Sequence, residues 1–292
     1  MHLTAHAKVN WALSVLSRHE DGYHALDMVM QSVALGDTLE IEPADTLSLR
    51  LSGGHFVPGN EKNLALKAAS LLKEAYGVSQ GAQIRLKKRI PVGAGLGGGS
   101  ADAAAALLGL SRLWGLRPTG EELSALALQV GADVPFCLTG GLARVRGIGG
   151  KVDPFDGAAS FDLVIVQPTG GLSTACVFSA YDALAEKPKN PPVERALKAL
   201  LSGDASALAN SMGNALHAAA IPLKPEIAVC AQALEHFGAL RAQMTGSGSA
   251  VIGLFDSPGA ASRAARACSR IWHKSYHTRT ISCGVSLVFD RM

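Results

Sequence analysis

A glycine-rich segment directly ahead of an alanine-rich run constrains this chain more than any other feature. In "PVGAGLGGGSADAAAALL", residues 91–108, five glycines precede a stretch without helix breakers. Glycine permits backbone conformations that other residues avoid, and the first turn of a helix leaves amide groups unpaired and partially positive. The segment therefore predicts an anion site at a helix N-terminus, of the kind that holds a nucleotide phosphate.

The neighbouring segments favour a phosphate site over the alternative of a flexible linker. A strand is predicted directly before the loop, at residues 82–92, and Ser100 and Asp102 lie in the first turn of the helix after it. Linkers seldom lie within two residues of a strand on one side and a helix on the other. The loop lacks the G-K-[ST] ending of a P-loop, and residues 97–99 depart from G-x-G-x-x-G, so neither motif describes it.

The composition excludes several classes of protein. The 292 residues are 48% hydrophobic with a formal net charge of +3 and no basic block, which argues against coating of nucleic acid or membranes. Five widely spaced cysteines without a C-x-x-C pair suggest neither a disulfide framework nor a zinc site. The N-terminus lacks the pattern of a signal peptide, and the longest apolar run, residues 103–110, is too short to span a bilayer. We expect a cytoplasmic monomer or weak homodimer.

Strands and helices alternate along the chain, which predicts an α+β protein. Strands are predicted at residues 6–16, 37–43 and 82–92, and a helix at 61–78 between Asn63 and Gly77. A capping box of Thr119 and Glu122 opens a further helix that ends at Gly131. The Gly- and Pro-rich residues 150–162 precede a buried strand at 163–168, so we expect domains at 1–155 and 156–292. Residues 240–289 predict a β-β-α-β order, with the last strand at 278–289.

Four stretches of the chain resemble the GHMP kinases, which phosphorylate small alcohols and acids with ATP. "PVGAGLGGGSADAA" is similar to their phosphate loop, and "MTGSGSAVIGLF", residues 244–255, to their third, glycine-rich motif. "AKVNWALSVLSRHEDGYHAL" at residues 7–26 and "GADVPF" at 131–136 resemble one branch, which phosphorylates the 2-hydroxyl of a cytidyl-diphospho sugar alcohol for non-mevalonate isoprenoid synthesis. The resemblance covers nearly the whole chain.

This resemblance implies a fold and a co-substrate. The fold would be a two-domain GHMP-kinase fold, with an N-terminal ATP-binding domain, a C-terminal ferredoxin-like domain, and the active site in the cleft between them. ATP would be the co-substrate, and Mg²⁺ would arrive with it. The nine histidines include no pairing that suggests a built-in metal site.

The resemblance also implies which residues bind ATP. They are Pro91, Val92, Gly93, Ala94, Gly95, Leu96, Gly97, Gly98, Gly99, Ser100, Ala101, Asn63, Leu64 and Lys88. Taken from the sequence alone, the last three are a helix cap, a core residue and a surface base. Ser100 is either a helix cap or a ligand of Mg²⁺ or a phosphate oxygen.

Asp133 and Lys8 are the candidate catalytic residues. Asp133 follows the helix stop at Gly131 and precedes Pro135, so it lies on a rigid turn, and the resemblance assigns the role of base to this position. Lys8 lies in an apolar strand, where a cation would hold Asp133 ionised and stabilise charge on the phosphoryl oxygens. The alternatives are a turn-forming Asp beside Pro and a lysine that extends from a strand edge to solvent.

Four further residues are candidates for binding the second substrate. Asn10 follows Lys8 by two residues and points the same way along the strand. Tyr23 and His24 follow the turn dipeptide "DG", so we expect them at the rim of a loop, where His24 could contact the polar edge of a cytosine. Phe178 resembles the family's second aromatic residue at the cytidine site, so Tyr23 and Phe178 could clamp the base between them. The alternative role of Phe178 is core packing.

One segment departs from the family pattern, and two other functions are alternatives. Where the family commonly has an acidic stretch, residues 214–217 read "NALH". The alternatives to the cytidyl substrate are another GHMP kinase, of the mevalonate or homoserine type, and a non-catalytic nucleotide-binding sensor. A sister kinase would lack "DGYH", and a sensor has no reason to keep both Lys8 and Asp133.

Overall fold

The computed structural model describes residues 1–52 and 57–288. The strands in these residues are β1 (His2–Arg18), β2 (His24–Ala44), β3 (Ser48–Ser52), β4 (Gly81–Lys87), β5 (Leu142–Gly147), β6 (Lys151–Phe155), β7 (Asp162–Val166), β8 (Gly213–Asn214), β9 (Arg241–Met244), β10 (Val251–Phe255), β11 (Ser275–Arg279) and β12 (Val285–Val288). The helices are α1 (Leu64–Ala75), α2 (Gly98–Leu113), α3 (Gly120–Val130), α4 (Val134–Thr139), α5 (Thr174–Asp182), α6 (Val193–Ser202), α7 (Ala205–Ser211), α8 (His217–Ala220), α9 (Glu226–His236) and α10 (Pro258–Ser269).

The larger sheet has eight strands and is centred on β1 and β2. Its order is β12-β1-β2-β4-β3, with β5 beside β2, β6 beside β5 and β8 beside β1. Neighbouring strands are antiparallel except for the β3–β4 and β1–β8 pairs. Residues 5–15 of β1 are all buried, as expected for a strand covered on both faces. The strand predicted at 37–43 is the second half of the longer β2.

Irregular pairing between β1 and β2 surrounds two of the predicted site residues. The register shifts between His6 and Lys8 and again between Asn10 and Ala12. Such bulges bend a strand locally and turn its side chains, and they are frequent next to active sites. Lys8 and Asn10 thus lie between two bulges.

Helix α2 occupies the centre of the N-terminal half. It packs against β1, β2, α1 and α4, and the alanines at 103–106 are fully buried. A Cβ on Gly109 would lie 2.6 Å from Ile41 Cδ1, so a larger residue here would require side chains of the sheet to move. The predicted caps are confirmed: Asn63 accepts a hydrogen bond from the amide of Ala65, and Thr119 forms the capping box of α3.

The smaller sheet has the order β11-β7-β10-β9 and is antiparallel throughout. Helices α9 and α10 pack against it. The predicted β-β-α-β order is confirmed by β9, β10, α10 and β11.

The single strand predicted at 278–289 is wrong. In the structure β11 ends at Arg279 in the smaller sheet, and β12 begins at Val285 in the larger one. The chain crosses between the sheets at Gly284, which packs so closely on the carbonyl of Cys137 that a side chain has no room. Alternating hydrophobicity does not show which sheet a residue joins. Phe289 lies outside the described residues.

Two other segments differ from the expectation. The strand predicted at 82–92 ends at Lys87, because Asp37 accepts hydrogen bonds from the amides of Arg89 and Ile90 and takes them out of the sheet. The Gly- and Pro-rich residues 150–162 contain β6, which pairs with β5. We propose that the domains divide at residue 155, although β8 and β12 return to the larger sheet.

Candidate active site

Two cavities meet at the glycine-rich loop. The larger, of about 740 Å³, lies between the N-terminal residues and α5, and we call it the acceptor cavity. The smaller, of about 250 Å³, lies between the loop and the start of α1, and we call it the nucleotide cavity. Gly93, Gly95 and Ser100 line both. A ligand in one cavity can therefore meet a ligand in the other at the loop.

The loop between β4 and α2 has the backbone geometry of an anion site. Gly93, Gly95 and Gly97 have φ of +64°, +76° and +68°, and Gly97 is the N-cap of α2. No side chain caps this helix, so its first amides remain available to a ligand. The unpaired amides and the helix dipole favour a phosphate here.

A second glycine-rich segment, residues 245–248, supports the loop from behind. A Cβ on Gly95 would collide with the carbonyl of Thr245 and would lie 2.9 Å from the amide nitrogen of Gly248. The amide of Ala250 donates to the carbonyl of Ala94 at 3.1 Å. The two segments are thus in backbone contact, which explains why both are rich in glycine.

Most of the predicted ATP-binding residues line the nucleotide cavity. They are Asn63, Leu64, Lys88 and residues 91–100. Ala101 does not line it, since it is fully buried inside α2. The expectation of a surface base at Lys88 is wrong: its side chain is 3% exposed and is ion-paired with Asp37 and with Asp102, the latter at 2.6 Å.

Lys8 and Asp133 face each other in the acceptor cavity beside the loop. Lys8 Nζ lies 3.8 Å from Asp133 Oδ2, and the two side chains are 5% and 36% exposed. Asp133 is the N-cap residue of α4, yet its side chain makes no capping hydrogen bond and is left to the cavity. The structure therefore brings together a buried cation and an accessible carboxylate, which can accept a proton.

Asn10 lies on the same side of β1 as Lys8, as predicted. Its Oδ1 accepts a hydrogen bond from Lys8 Nζ at 2.7 Å, and its backbone amide donates to the hydroxyl of Thr245 at 2.9 Å. Asn10 thus fixes the position of the lysine ammonium and links β1 to the second glycine-rich segment.

The aromatic residues at the far end of the acceptor cavity differ in exposure. Tyr23 is 64% exposed at the rim, as predicted. The expectation that His24 also lies at a loop rim is wrong, because His24 begins β2 and is buried. Its ring stacks on Phe178 with centroids 4.7 Å apart, and its Nε2 lies 2.8 Å from Asp182 Oδ1. One face of Phe178 is therefore already covered.

Sequence reasoning missed two acidic residues, one that lines the acceptor cavity and one that pairs with a residue of the nucleotide cavity. Asp182 pairs with His24 and lies 3.6 Å from Arg18 Nε, and Asp37 pairs with Lys88 under the glycine-rich loop. Each partner lies at least 51 positions away along the chain, and no local motif marks either carboxylate.

Residues 214–217 hold the second glycine-rich segment in place. The side-chain amide of Asn214 donates to the carbonyls of Met244 and Gly246 at 2.9 and 2.8 Å. His217 Nδ1 accepts a hydrogen bond from the backbone amide of Met244. Burial, with a smaller contribution from Arg241, lowers the pKa of His217, which favours this neutral accepting form. Asn214 and His217 of the sequence "NALH" therefore stabilise the position of the second glycine-rich segment.

The described residues were compared with the requirements for a membrane-spanning helix and for a metal site. Within residues 1–52 and 57–288, every helix falls short of the length and hydropathy that crossing a bilayer requires. Across the same ranges, histidine, cysteine and acidic side chains form no group of three or more that could hold a metal ion.

Comparison with known proteins defines the class. The family model "GHMP kinases N terminal domain" matches residues 63–141, and "GHMP kinases C terminal" matches residues 196–274. The first match includes the glycine-rich loop and Asp133, and the second includes residues 245–248. The fold and the site thus define a GHMP kinase, an α+β enzyme with two domains and an active site in the cleft between them.

Relatives narrow the class to one family. A 4-diphosphocytidyl-2-C-methyl-D-erythritol kinase of Pelotomaculum thermopropionicum is 46% identical over 86% of this chain and 87% of the relative. One of Alkaliphilus metalliredigens is 37% identical over 97% of both chains. A crystal structure titled 4-(cytidine 5'-diphospho)-2C-methyl-D-erythritol kinase matches 96% of this chain and 99% of that one, with a TM-score of 0.82 and 38% identity. The chain belongs to the 4-diphosphocytidyl-2-C-methyl-D-erythritol kinase family.

A more distant structure shares the fold alone. A homoserine kinase of Cytophaga hutchinsonii has a TM-score of 0.74 with 22% identity, over 99% of this chain and 97% of that one.

Proposed function

We propose that this chain transfers the γ-phosphoryl group of ATP to the 2-hydroxyl of 4-diphosphocytidyl-2-C-methyl-D-erythritol, releasing ADP and the 2-phosphate. The reaction belongs to the non-mevalonate route to isoprenoid precursors. The names of the relatives support the substrate. The observation that carries the proposal is the Lys8–Asp133 pair, which lies beside the loop that both cavities share.

The nucleotide would bind with its phosphates at the glycine-rich loop. Backbone amides at the start of α2 and the positive end of the helix dipole offset the charge of the phosphates without a lysine in the loop itself. The purine would occupy the nucleotide cavity beside Asn63 and Leu64. This arrangement directs the terminal phosphate toward the shared glycines Gly93 and Gly95.

Asp133 would act as the general base. Its carboxylate accepts the proton of the 2-hydroxyl while the hydroxyl oxygen forms a bond to the γ-phosphorus, and the bond from that phosphorus to the β–γ bridging oxygen breaks. ADP leaves with the bond's electron pair, and Asp133 later returns its proton to solvent. Lys8 would stabilise the negative charge on the transferred group, since a buried ammonium acts in a medium of low dielectric.

We propose that Mg²⁺ enters with ATP. The Ser100 hydroxyl, which lines both cavities, is an oxygen donor at the junction. This fits a cation that takes few protein ligands and keeps water and phosphate oxygens for the rest. When bound, the ion would neutralise phosphate charge.

Side chains at the far end of the acceptor cavity would recognise the cytosine. His24 covers one face of Phe178, so the base would stack on exposed ring surface of Tyr23 or Phe178 rather than between Phe178 and His24. Asp182 holds His24 Nε2, which leaves Nδ1 as the ring nitrogen for a contact with the base. Asn10 would orient the methylerythritol hydroxyls.

A substrate panel tests this function against its alternatives. ADP release is measured with 4-diphosphocytidyl-2-C-methyl-D-erythritol, mevalonate, homoserine and no acceptor. We expect release with the cytidyl substrate only. Release with mevalonate or homoserine would indicate a sister kinase, and ATP binding without release would indicate a nucleotide sensor.

The location, oligomeric state and partners of the enzyme form the last part of the proposal. We propose a cytoplasmic enzyme, a monomer or weak homodimer, which acts on small molecules and binds neither nucleic acid nor membranes. The low net charge of +3 supports this proposal.

A further inference from the structure

Three ionisable side chains form a buried cluster under the glycine-rich loop. Lys88 Nζ donates to Asp102 Oδ2 at 2.6 Å and, in a still closer contact, to Asp37 Oδ2. The side chains of Lys88, Asp37 and Asp102 are 3%, 0% and 4% exposed. The cluster therefore joins β2, the end of β4 and the start of α2.

Stability alone does not explain this cluster. Removing charges from water costs free energy, and an apolar replacement of a buried ion pair is often as stable. Asp102 Oδ1 is buried and, among the described residues, finds no hydrogen-bond partner. Burial lowers the pKa of Lys88, but the two carboxylates raise it by more, so that the lysine stays charged. A costly and incompletely bonded cluster suggests a functional role.

The position of the cluster indicates that role. Lys88 is the first residue after β4 and Asp102 lies near the start of α2, so the pair ties the loop's two ends together. Asp37 Oδ1 also accepts hydrogen bonds from the amides of Arg89 and Ile90, which fixes the entry to the loop. A Cβ on Gly98 would lie 3.3 Å from Lys88 Nζ, so the ammonium lies under the first turn of α2.

We infer that Asp37, Lys88 and Asp102 are positioning residues, which hold the glycine-rich loop and the first turn of α2 in the geometry that binds the phosphates of ATP. The inference deepens the proposed function and rests on it for the identity of the nucleotide. The ammonium of Lys88 is directed to two carboxylates, so its effect on ATP passes through the loop rather than through contact with the purine.

The test compares ATP with inorganic tripolyphosphate, which has no purine. The variants are Asp102→Asn, which keeps the size of the side chain, and Lys88→Met. The control is Arg85→Met, on β4 three residues before Lys88, because Arg85 makes half-exposed ion pairs with Glu40 and Glu42. Calorimetry gives the Kd of each ligand, steady-state kinetics gives the KM of the acceptor, and a thermal scan gives the Tm.

We expect Asp102→Asn to raise the Kd of ATP and of tripolyphosphate by the same factor, about tenfold. The acceptor KM should stay within about twofold, and Arg85→Met should change neither Kd. An increase for ATP without one for tripolyphosphate would overturn the inference, because it would indicate a direct purine contact. A lower Tm with both Kd values unchanged would also overturn it, because the cluster would then serve stability alone.

Hydrogen exchange keeps the inference testable if Lys88→Met does not fold or if the proposed function fails. The amides of residues 92–100 should exchange faster in Asp102→Asn than in the wild type, while those of β7 should not change. Equal exchange in the loop would contradict the inference whatever the substrate. Wild-type protein that binds neither ATP nor tripolyphosphate would instead contradict the proposed function.

Discussion

The nucleotide cavity and the acceptor cavity are built in different ways. Apart from five residues between Val57 and Leu64, every residue that lines the nucleotide cavity belongs to the stretch 88–102, in which only Arg89 and Ala101 do not line it. The acceptor cavity is lined by side chains from β1, the start of β2, residues 132–133, α5 and residues 246–248. The first is therefore specified by local sequence, and the second by tertiary contacts between distant segments.

This difference implies that the two cavities respond separately to substitution. A change in the loop should affect ATP and leave the acceptor unchanged, and a change at the aromatic end should do the reverse. A change at Asp133, beside the junction, should affect neither affinity but should slow the transfer.

Asp133→Asn should lower kcat by about 10²-fold or more while the Kd of ATP stays within a few-fold. The amide cannot accept the hydroxyl proton, and general-base steps contribute factors of this size. Steady-state kinetics and calorimetry measure the two effects. Asp153→Asn is the control, since that carboxylate is 40% exposed, much like Asp133, but pairs with Arg146. Near-normal turnover of Asp133→Asn would remove Asp133 from the mechanism.

Gly99→Val should weaken ATP binding by about thirtyfold. A Cβ here first meets Leu64 Cδ1 at 3.4 Å, so the larger side chain fills the nucleotide cavity without a backbone clash. The factor corresponds to about 2 kcal/mol, within the range for overpacking. Gly120→Val is the matched control at the start of α3, where a Cβ meets no atom within 4 Å. An unchanged ATP affinity in folded Gly99→Val would disprove the location of the nucleotide.

Phe178→Leu should raise the KM of the cytidyl acceptor about tenfold and leave the KM of ATP unchanged. Leucine keeps most of the side-chain volume but removes the aromatic face, and stacking on a base contributes about 1–3 kcal/mol. The control is Phe237→Leu, because Phe237 also contacts a histidine ring, His236, with centroids 5.5 Å apart. Equal changes for both substrates would show that Phe178 only packs.

The smallest effect concerns the segment behind the shared loop. Burial lowers the pKa of His217, so the unfolded chain binds more protons than the folded one below about pH 6.5. Its contribution to stability is therefore complete above that pH and falls as the pH drops further. Thermal scans at pH 7.5 and pH 5.5 should show a smaller loss of Tm in His217→Gln than in the wild type. His236→Gln, at an exposed position, should lose as much Tm as the wild type does.

The same division explains how far sequence reasoning reaches. The loop, the cap at Asn63 and the pairing of Lys8 with Asn10 depend on neighbours in sequence, and they were predictable. The burial of His24 and of Lys88 depends on Asp182 and Asp37, which approach only after folding. The sequence also does not show in which direction a side chain would extend if it replaced a glycine of this segment. The structure separates Gly98, which faces Ile90, from Gly99, which faces Leu64.

The γ-phosphoryl group should pass from ATP in the nucleotide cavity to the 2-hydroxyl of the acceptor in the other cavity. Phosphorus NMR of the product shows which hydroxyl receives it. Carbon 2 of that substrate carries the methyl group and no hydrogen, whereas the other hydroxyl-bearing carbons carry hydrogen. With ATP and the cytidyl acceptor, a proton-coupled ³¹P spectrum should show a new phosphomonoester singlet as ADP forms. A doublet or triplet, or inorganic phosphate in place of a new ester, would contradict the account.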